Sequence, residues 1–137
     1  CLDGETPIVT VEYGVLPIRE IVEKELLCSV YSIDENGFVY TQPVEQWHQR
    51  GDRQMFEYQL DNGGVIRATP DHKFLTTEGE MVAIDEIFEK GLNLAEFAPA
   101  DLVKILRRHS IGKAKTYDIG VSKNHNFLLA NGLFASN

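Results

Sequence analysis

The sequence predicts an all-β domain, mainly strands with two short helices, and three observations carry that expectation. Short runs of alternating polarity dominate the first eighty residues, Asn-Gly dipeptides separate apolar stretches, and only two segments show helical spacing. With 137 residues, 43% hydrophobic and 25% charged, the chain can build one core, so a single domain over 1–137 is expected.

In chain order, Val9, Val11 and Tyr13 alternate with Ile8, Thr10 and Glu12, a strand whose apolar face carries the first three. Pro17–Leu26 places Ile18, Ile21 and Val22 at helical spacing, with Pro17 suited to the first turn. Asn36-Gly37 supplies a hairpin turn. Phe56, Tyr58 and Leu60 alternate with Met55, Glu57 and Gln59 to give a second strand, and Asn62-Gly63 a second hairpin. Ala83–Leu92 repeats the helical pattern with Ile84, Ile87 and Phe88. From Leu94 to Leu102 periodicity dissolves around Pro99, which predicts an exposed loop. Asn131-Gly132 gives the third hairpin. Trp47 reads as core, His48 and His109 as surface or packing residues, and Cys28 as a small buried apolar side chain.

The chain echoes itself. The segment from Pro17 aligns without gaps with that from Ala83, 66 residues on, and His72-Lys73-Phe74-Leu75 with its later Gly79 matches His125-Asn126-Phe127-Leu128 with Gly132, 53 residues on. Unequal offsets exclude a fixed-period solenoid and predict two related β subdomains, with the histidine echo as the stronger half.

Lys plus Arg number 13 against 21 Asp plus Glu, and a net charge of −8 argues against nucleic acid as partner. No apolar run approaches the roughly 20 residues of a membrane span. Two cysteines are too few for a disulfide framework, so a reducing, cytoplasmic setting is expected.

Cys1 is the first residue with chemical promise. A thiol beside its own α-nitrogen lies within five-membered-ring reach of a preceding carbonyl, so it can move an upstream acyl group from nitrogen to sulfur. The competing explanation is a boundary that happens to fall on cysteine. Asn137 can attack its own backbone carbonyl through its side-chain amide, closing a succinimide and releasing whatever follows. Thr69-Pro70-Asp71-His72 follows a strand, Val65 to Ala68; with Thr69 as N-cap and Pro70 at the first helical position, a hydroxyl and an imidazole share one side of a turn. A routine turn start explains the same residues. His125 lies where a polar turn enters an apolar strand, usually a structural place, but two related histidines suit two cleavages that each need a proton donor. Asp118, between apolar neighbours, is a surface carboxylate by default; buried near Cys1, it would have a raised pKa and manage the thiol proton. Cys1, His72 and His125 offer no close metal-ligand pair, so neither a metal nor another cofactor is expected.

Cys1-Leu2, Thr69-x-x-His72, Tyr117-Asp118-Ile119-Gly120, Asn124-His125-Asn126-Phe127 and the closing run Asn131 to Asn137 resemble the splicing blocks of inteins over nearly the whole chain. Thr10 to Gly14, Tyr40 to Pro43 and Ile66 to Thr69 are similar, more narrowly, to the split inteins that interrupt the catalytic alpha subunit of cyanobacterial DNA polymerase III. The resemblance implies the pseudo-two-fold, horseshoe-shaped Hedgehog/intein fold and single-turnover protein splicing. Cys1 would accept the upstream acyl group, Thr69 and His72 hold and protonate the scissile amide, Asp118 assist Cys1 and the incoming nucleophile, His125 aid branch resolution, and Asn137 cyclise. The partners implied are flanking extein segments, and a complementary fragment if the chain is split, with an N-terminal piece of about 1–101 and a C-terminal piece of about 102–137; a monomer is expected. Many inteins carry His before the terminal Asn; this chain has Ser136, which shifts more of that step onto His125. A hydrolase with a cysteine nucleophile, a Hedgehog-like autoprocessing domain and a small β binding module are the rivals.

Overall fold

The computed structural model describes residues 1–96 and 101–136. The chain forms β1 (Leu2–Asp3), β2 (Pro7–Thr10), β3 (Gly14–Pro17), α1 (Ile18–Glu23), β4 (Ser29–Ile33), β5 (Val39–Pro43), β6 (Gln46–Leu60) and β7 (Val65–Ala68). It continues through β8 (Lys73–Leu75), β9 (Met81–Ala83), α2 (Ile84–Lys90), β10 (Asn93–Glu96), β11 (Asp101–Gly120), β12 (Asn126–Leu128) and β13 (Phe134–Ser136).

Three sheets share one core. The largest has the order β1-β7-β6-β11-β10, with β1 also pairing β11; the others are β12-β13-β8-β9 and β3-β2-β4-β5. Its spine is the antiparallel ribbon of β6 and β11, which runs from Leu60 opposite Ile105 to Gln46 opposite Gly120 and changes register three times. Such shifts bend and twist a ribbon without breaking its pairing. Among the described residues, no helix is long and apolar enough to cross a membrane.

The local signals hold where they are local. All three Asn-Gly hairpins form, joining β4 to β5, β6 to β7 and β12 to β13. Both helices form but are shorter than expected. Pro17 is the N-cap of α1, outside its first turn, with φ −65° and ψ 141°.

The duplication is visible in hydrogen bonds 66 residues apart. Thr6 N–H donates to the Asp3 carbonyl (3.0 Å) as His72 N–H does to Thr69 (3.1 Å), and Ile18 N–H donates to Thr6 (2.8 Å) as Ile84 N–H does to His72 (2.8 Å). Arg19 N–H bonds Gly4 as Asp85 N–H bonds Pro70, and the Thr10 hydroxyl donates to the Gly14 carbonyl as the Thr76 hydroxyl does to Glu80. The counterpart of His72 in this repeat is therefore Thr6. The histidine echo between His72 and His125 is not the structural repeat, because His125 follows a different connection, from β11 into β12.

Two further expectations are corrected. In the first strand the inward face carries Ile8 and Thr10, both buried, while Val11 and Tyr13 are exposed in the turn to β3. The strand ends at Thr10, with one last bond from Val11 N–H to the Ser29 carbonyl (2.9 Å), and the Thr10 hydroxyl accepts from Tyr13 N–H, so the alternation runs on through a turn. In the predicted loop over Leu94–Leu102 the described residues are strand: Leu94 is fully buried and pairs with Val103, and Glu96 pairs with Asp101. Phe97 and Pro99 lie outside the described residues. Trp47 is half-buried, its Nε1 donating to the Leu26 carbonyl; Cys28 is buried, and burial raises its thiol pKa to about 11. His109 is exposed and lies 3.1 Å from Glu57, whereas His48 is half-buried and contacts Gln46.

Candidate functional site

The site is assembled by β1, which lies between β7 and β11. Leu2 pairs with Ala68 on one side and Tyr117 on the other, and its side chain is fully buried. That anchor fixes the residue before it. Thr69 N–H donates to the Cys1 carbonyl (3.0 Å), so the start of the chain is tied to the turn after β7. The turn, Thr69 to His72, is not a helix start; it is closed by the bond from His72 N–H to the Thr69 carbonyl.

The Cys1 α-nitrogen donates to Thr69 Oγ1 at 3.0 Å and lies 2.7 Å from His72 Nδ1. On its other side stands Asp118, from β11, with Oδ2 at 3.9 Å. The Arg50 guanidinium approaches the same Oδ2 at 3.8 Å. Cys1, Asp71, His72, Asp118 and Ser136 line one open cleft of about 380 Å³, together with Arg50, Arg53 and Lys73. β13 thus delivers the end of the described chain to the cleft where its beginning is held.

Burial sets the charges here. His72 is pushed down to about 3, first by desolvation and then by the adjacent α-ammonium; the Ser136 backbone carbonyl opposes the shift without offsetting it. The ring is therefore neutral at pH 7, and it packs against Phe74 with centroids 5.3 Å apart. Desolvation raises the Asp118 carboxyl pKa against the pull of the α-ammonium and Arg50, and its Oδ1 has no hydrogen-bond partner among the described residues. Desolvation also lowers the Cys1 α-amino pKa. Asp71 is held below the usual carboxylate range, mainly by a hydrogen bond from Thr69.

Of the six sequence-predicted residues, Cys1, Thr69, His72 and Asp118 come together. His125 is exposed, in a left-handed conformation (φ 49°), one residue beyond the pair Asn126–Ser136 and not among the residues lining the cleft. Asn137 lies outside the described residues. Sequence reasoning missed Arg50, Arg53, Asp71 and Lys73. Asp71, inside the Thr69–His72 turn, was the one with an available signal. Among the described residues no three His, Cys, Asp or Glu side chains are grouped to hold a metal ion.

No protein-family model matches the chain. RecA proteins of Mycobacterium tuberculosis and Mycobacterium bovis are 26% identical to it over 121 residues. That stretch is 81% of this chain, which spans about 15% of the length of these curated relatives. Among solved structures, a DnaB intein from Synechocystis sp. PCC 6803 superposes with a TM-score of 0.84 at 20% identity, covering 99% of this chain and 97% of that one. The DnaX mini intein from Spirulina platensis gives 0.79 at 25% identity, covering 99% and 98%. The PabCDC21-1 intein gives 0.82 at 24%, covering 98% and 96%. With structural neighbours that are inteins and a duplicated frame of strands around two short helices, the chain has the pseudo-two-fold, horseshoe-shaped Hedgehog/intein fold.

Proposed function

We propose that this chain performs protein splicing: it excises itself and joins the segments that flank it. The observation that carries the reading is the Cys1 α-nitrogen held 2.7 Å from His72 Nδ1 and 3.0 Å from Thr69 Oγ1, in a cleft that Ser136 also lines.

In a precursor that nitrogen is the amide joining the upstream segment to Cys1. The thiol attacks the upstream carbonyl; a carbon–sulfur bond forms, the carbon–nitrogen bond breaks, and the thiol proton ends on the nitrogen. His72 carries that proton, being within hydrogen-bond reach of the receiving atom. The ammonium charge that helps depress the ring is absent from an amide, so His72 is more basic in the precursor than after cleavage. Thr69 accepts from the same nitrogen and turns it toward the ring. Asp118, with its raised pKa, handles the protons of Cys1 and of the incoming nucleophile. A Cys, Ser or Thr following Asn137 then takes the acyl group by transesterification. The Asn137 amide nitrogen attacks its own carbonyl to form a succinimide and frees the downstream amine, and His125 assists that release.

The motifs shared with cyanobacterial polymerase split inteins support a natural break near residues 97–103, giving pieces of about 1–101 and 102–137. Arg108 of the second piece meets Asp85 and Glu89 of the first and lies 4.9 Å over the Phe88 ring. From Val103 to Lys115 the chain carries Lys104, Arg107, Arg108, Lys113 and Lys115 and no acid, which favours steering toward an acidic partner at low salt. No cofactor is needed, and two free thiols suit a reducing, cytoplasmic setting.

The test places a reporter domain before Cys1 and another, beginning with Cys, after Asn137, and follows ligated product by mass. Cys1→Ala is expected to stop thioester formation and ligation, and Asn137→Ala to stall at a branched species. Unchanged ligation in either variant, or repeated turnover on an external ester in place of ligation, would overturn the reading.

A further inference from the structure

Outside the residues that line the Cys1 cleft, a buried polar network holds the turn that carries His125. Asn124 and His125 are consecutive non-glycine residues in the left-handed region, at φ 55° and 49°. Asn and His enter that region more readily than most side chains, but two in succession need surroundings that hold them there. Gln42, on β5 and 6% exposed, takes both backbone groups of the residue before the pair: its Oε1 accepts from Lys123 N–H (3.0 Å) and its Nε2 donates to the Lys123 carbonyl (2.7 Å). The same Nε2 donates to Ser32 Oγ (2.7 Å), and the Ser32 hydroxyl donates to the Asn126 carbonyl (2.6 Å), which anchors the residue after the pair. Asn126 closes the frame, its Oδ1 accepting from Ile33 N–H (2.9 Å) and its Nδ2 donating to the Ile33 carbonyl (3.0 Å). Tyr40 hydroxyl donates to Asn124 Oδ1 (2.5 Å). The amide of Gln42 is thus fully engaged, and an apolar residue of its size would take this partner from both backbone groups of Lys123.

We propose that Gln42 is a positioning residue for the downstream cleavage: it fixes the strained turn from Lys123 to Asn126 and so sets where His125 stands beside the end of β13. This rests on the splicing reading and goes beyond it, because it makes the two cleavages separable. None of the residues lining the Cys1 cleft belongs to the Gln42 network, which meets the cleft only where Asn126 pairs with Ser136 among the described residues.

The test uses the full chain between its two reporters. In Gln42→Ala, thiol-induced release of the upstream reporter should stay within about twofold of the parent, while release of the downstream reporter slows roughly tenfold, the effect of one or two lost buried hydrogen bonds. In a His125→Ala background, Gln42→Ala should add no further slowing, since its effect runs through the imidazole. Equal slowing of both releases, or full additivity with His125→Ala, would make Gln42 merely structural and overturn the proposal. Tyr40→Phe, which removes one hydroxyl, is the second variant should Gln42→Ala not fold; it should slow only the downstream release, and an unchanged downstream rate would overturn the proposal. A parent that releases neither reporter defeats the splicing reading and this proposal together; a parent that releases both, with Gln42→Ala equally fast, defeats only this one.

Discussion

The two copies of the repeat share a backbone and differ in work. Asp3–Thr6 and Thr69–His72 make the same closing hydrogen bond, and each passes its last carbonyl to the first N–H of a helix, yet one turn ends in threonine and the other in histidine. Only the second points an imidazole at the Cys1 nitrogen. A duplicated frame therefore supplies two equivalent mounts, and the chemistry is decided by the side chain placed on one of them.

That contrast is broken most severely at His72. His72→Thr turns the working mount into a copy of the silent one and should cut thiol-induced release of an upstream reporter by on the order of a hundredfold or more, the range of a lost acid–base group. The converse change, Thr6→His, should restore nothing, because Thr6 is not among the residues that line the Cys1 cleft.

The second contrast is acid sensitivity. An unfolded His72 takes up a proton below its ordinary 6.5, whereas the folded ring refuses one until about 3. Stability contributed by the neutral ring is thus lost as pH falls from 6.5 toward 3. Asp118 acts oppositely, since its folded pKa is raised and its contribution is lost as pH rises through the carboxylate range. Thermal midpoints between pH 7 and pH 4 should fall for the parent and fall less for His72→Gln; parallel curves would remove His72 as the cause.

Gly4 and Pro70 occupy matching places, and here the packing differs. A Cβ on Gly4 would come 2.9 Å from Tyr117 Cε2 and 3.1 Å from Arg19 Cβ. Gly4→Ala should destabilise by about 1–3 kcal/mol in urea unfolding, the usual range for overpacking.

The smallest expected effect sharpens the comparison at the helix ends. Gly91 caps α2 at φ 67°, and its counterpart Glu25, one residue past the α1 cap Lys24, has φ 46° with the same flanking bonds, Leu26 N–H to Ile21 and Leu92 N–H to Ile87. Glu25→Gly should stabilise by up to about 1 kcal/mol and Gly91→Ala destabilise by about as much, because only glycine adopts that conformation freely. Urea midpoints that move the same way in both variants would show the two ends are not equivalent.

What was legible in the sequence follows from range. Hairpins and helices were readable because Asn-Gly turns and the Ile18/Ile21 and Ile84/Ile87 spacings act over a few residues. The grouping of Cys1 with Thr69, His72 and Asp118 is legible through the resemblance of those motifs to the splicing blocks of inteins. Arg50 and Arg53 were not, since charged residues on a strand look the same whether they face solvent or a cleft. Leu94 reads as loop in the sequence because its partner, Val103, lies across Pro99. The histidine echo misled because four matching letters outweighed a longer, more degenerate match whose equivalence appears only in main-chain bonding.

Leu2 faces Ala68 across the pairing of β1 with β7, and the two sit 66 residues apart, so each is the other's counterpart beside the pseudo-axis. Both are fully buried. One large and one small side chain therefore share the interior beside that axis. Internal symmetry is thus already broken where the two halves meet, at a leucine facing an alanine, before any demand of reactivity is considered.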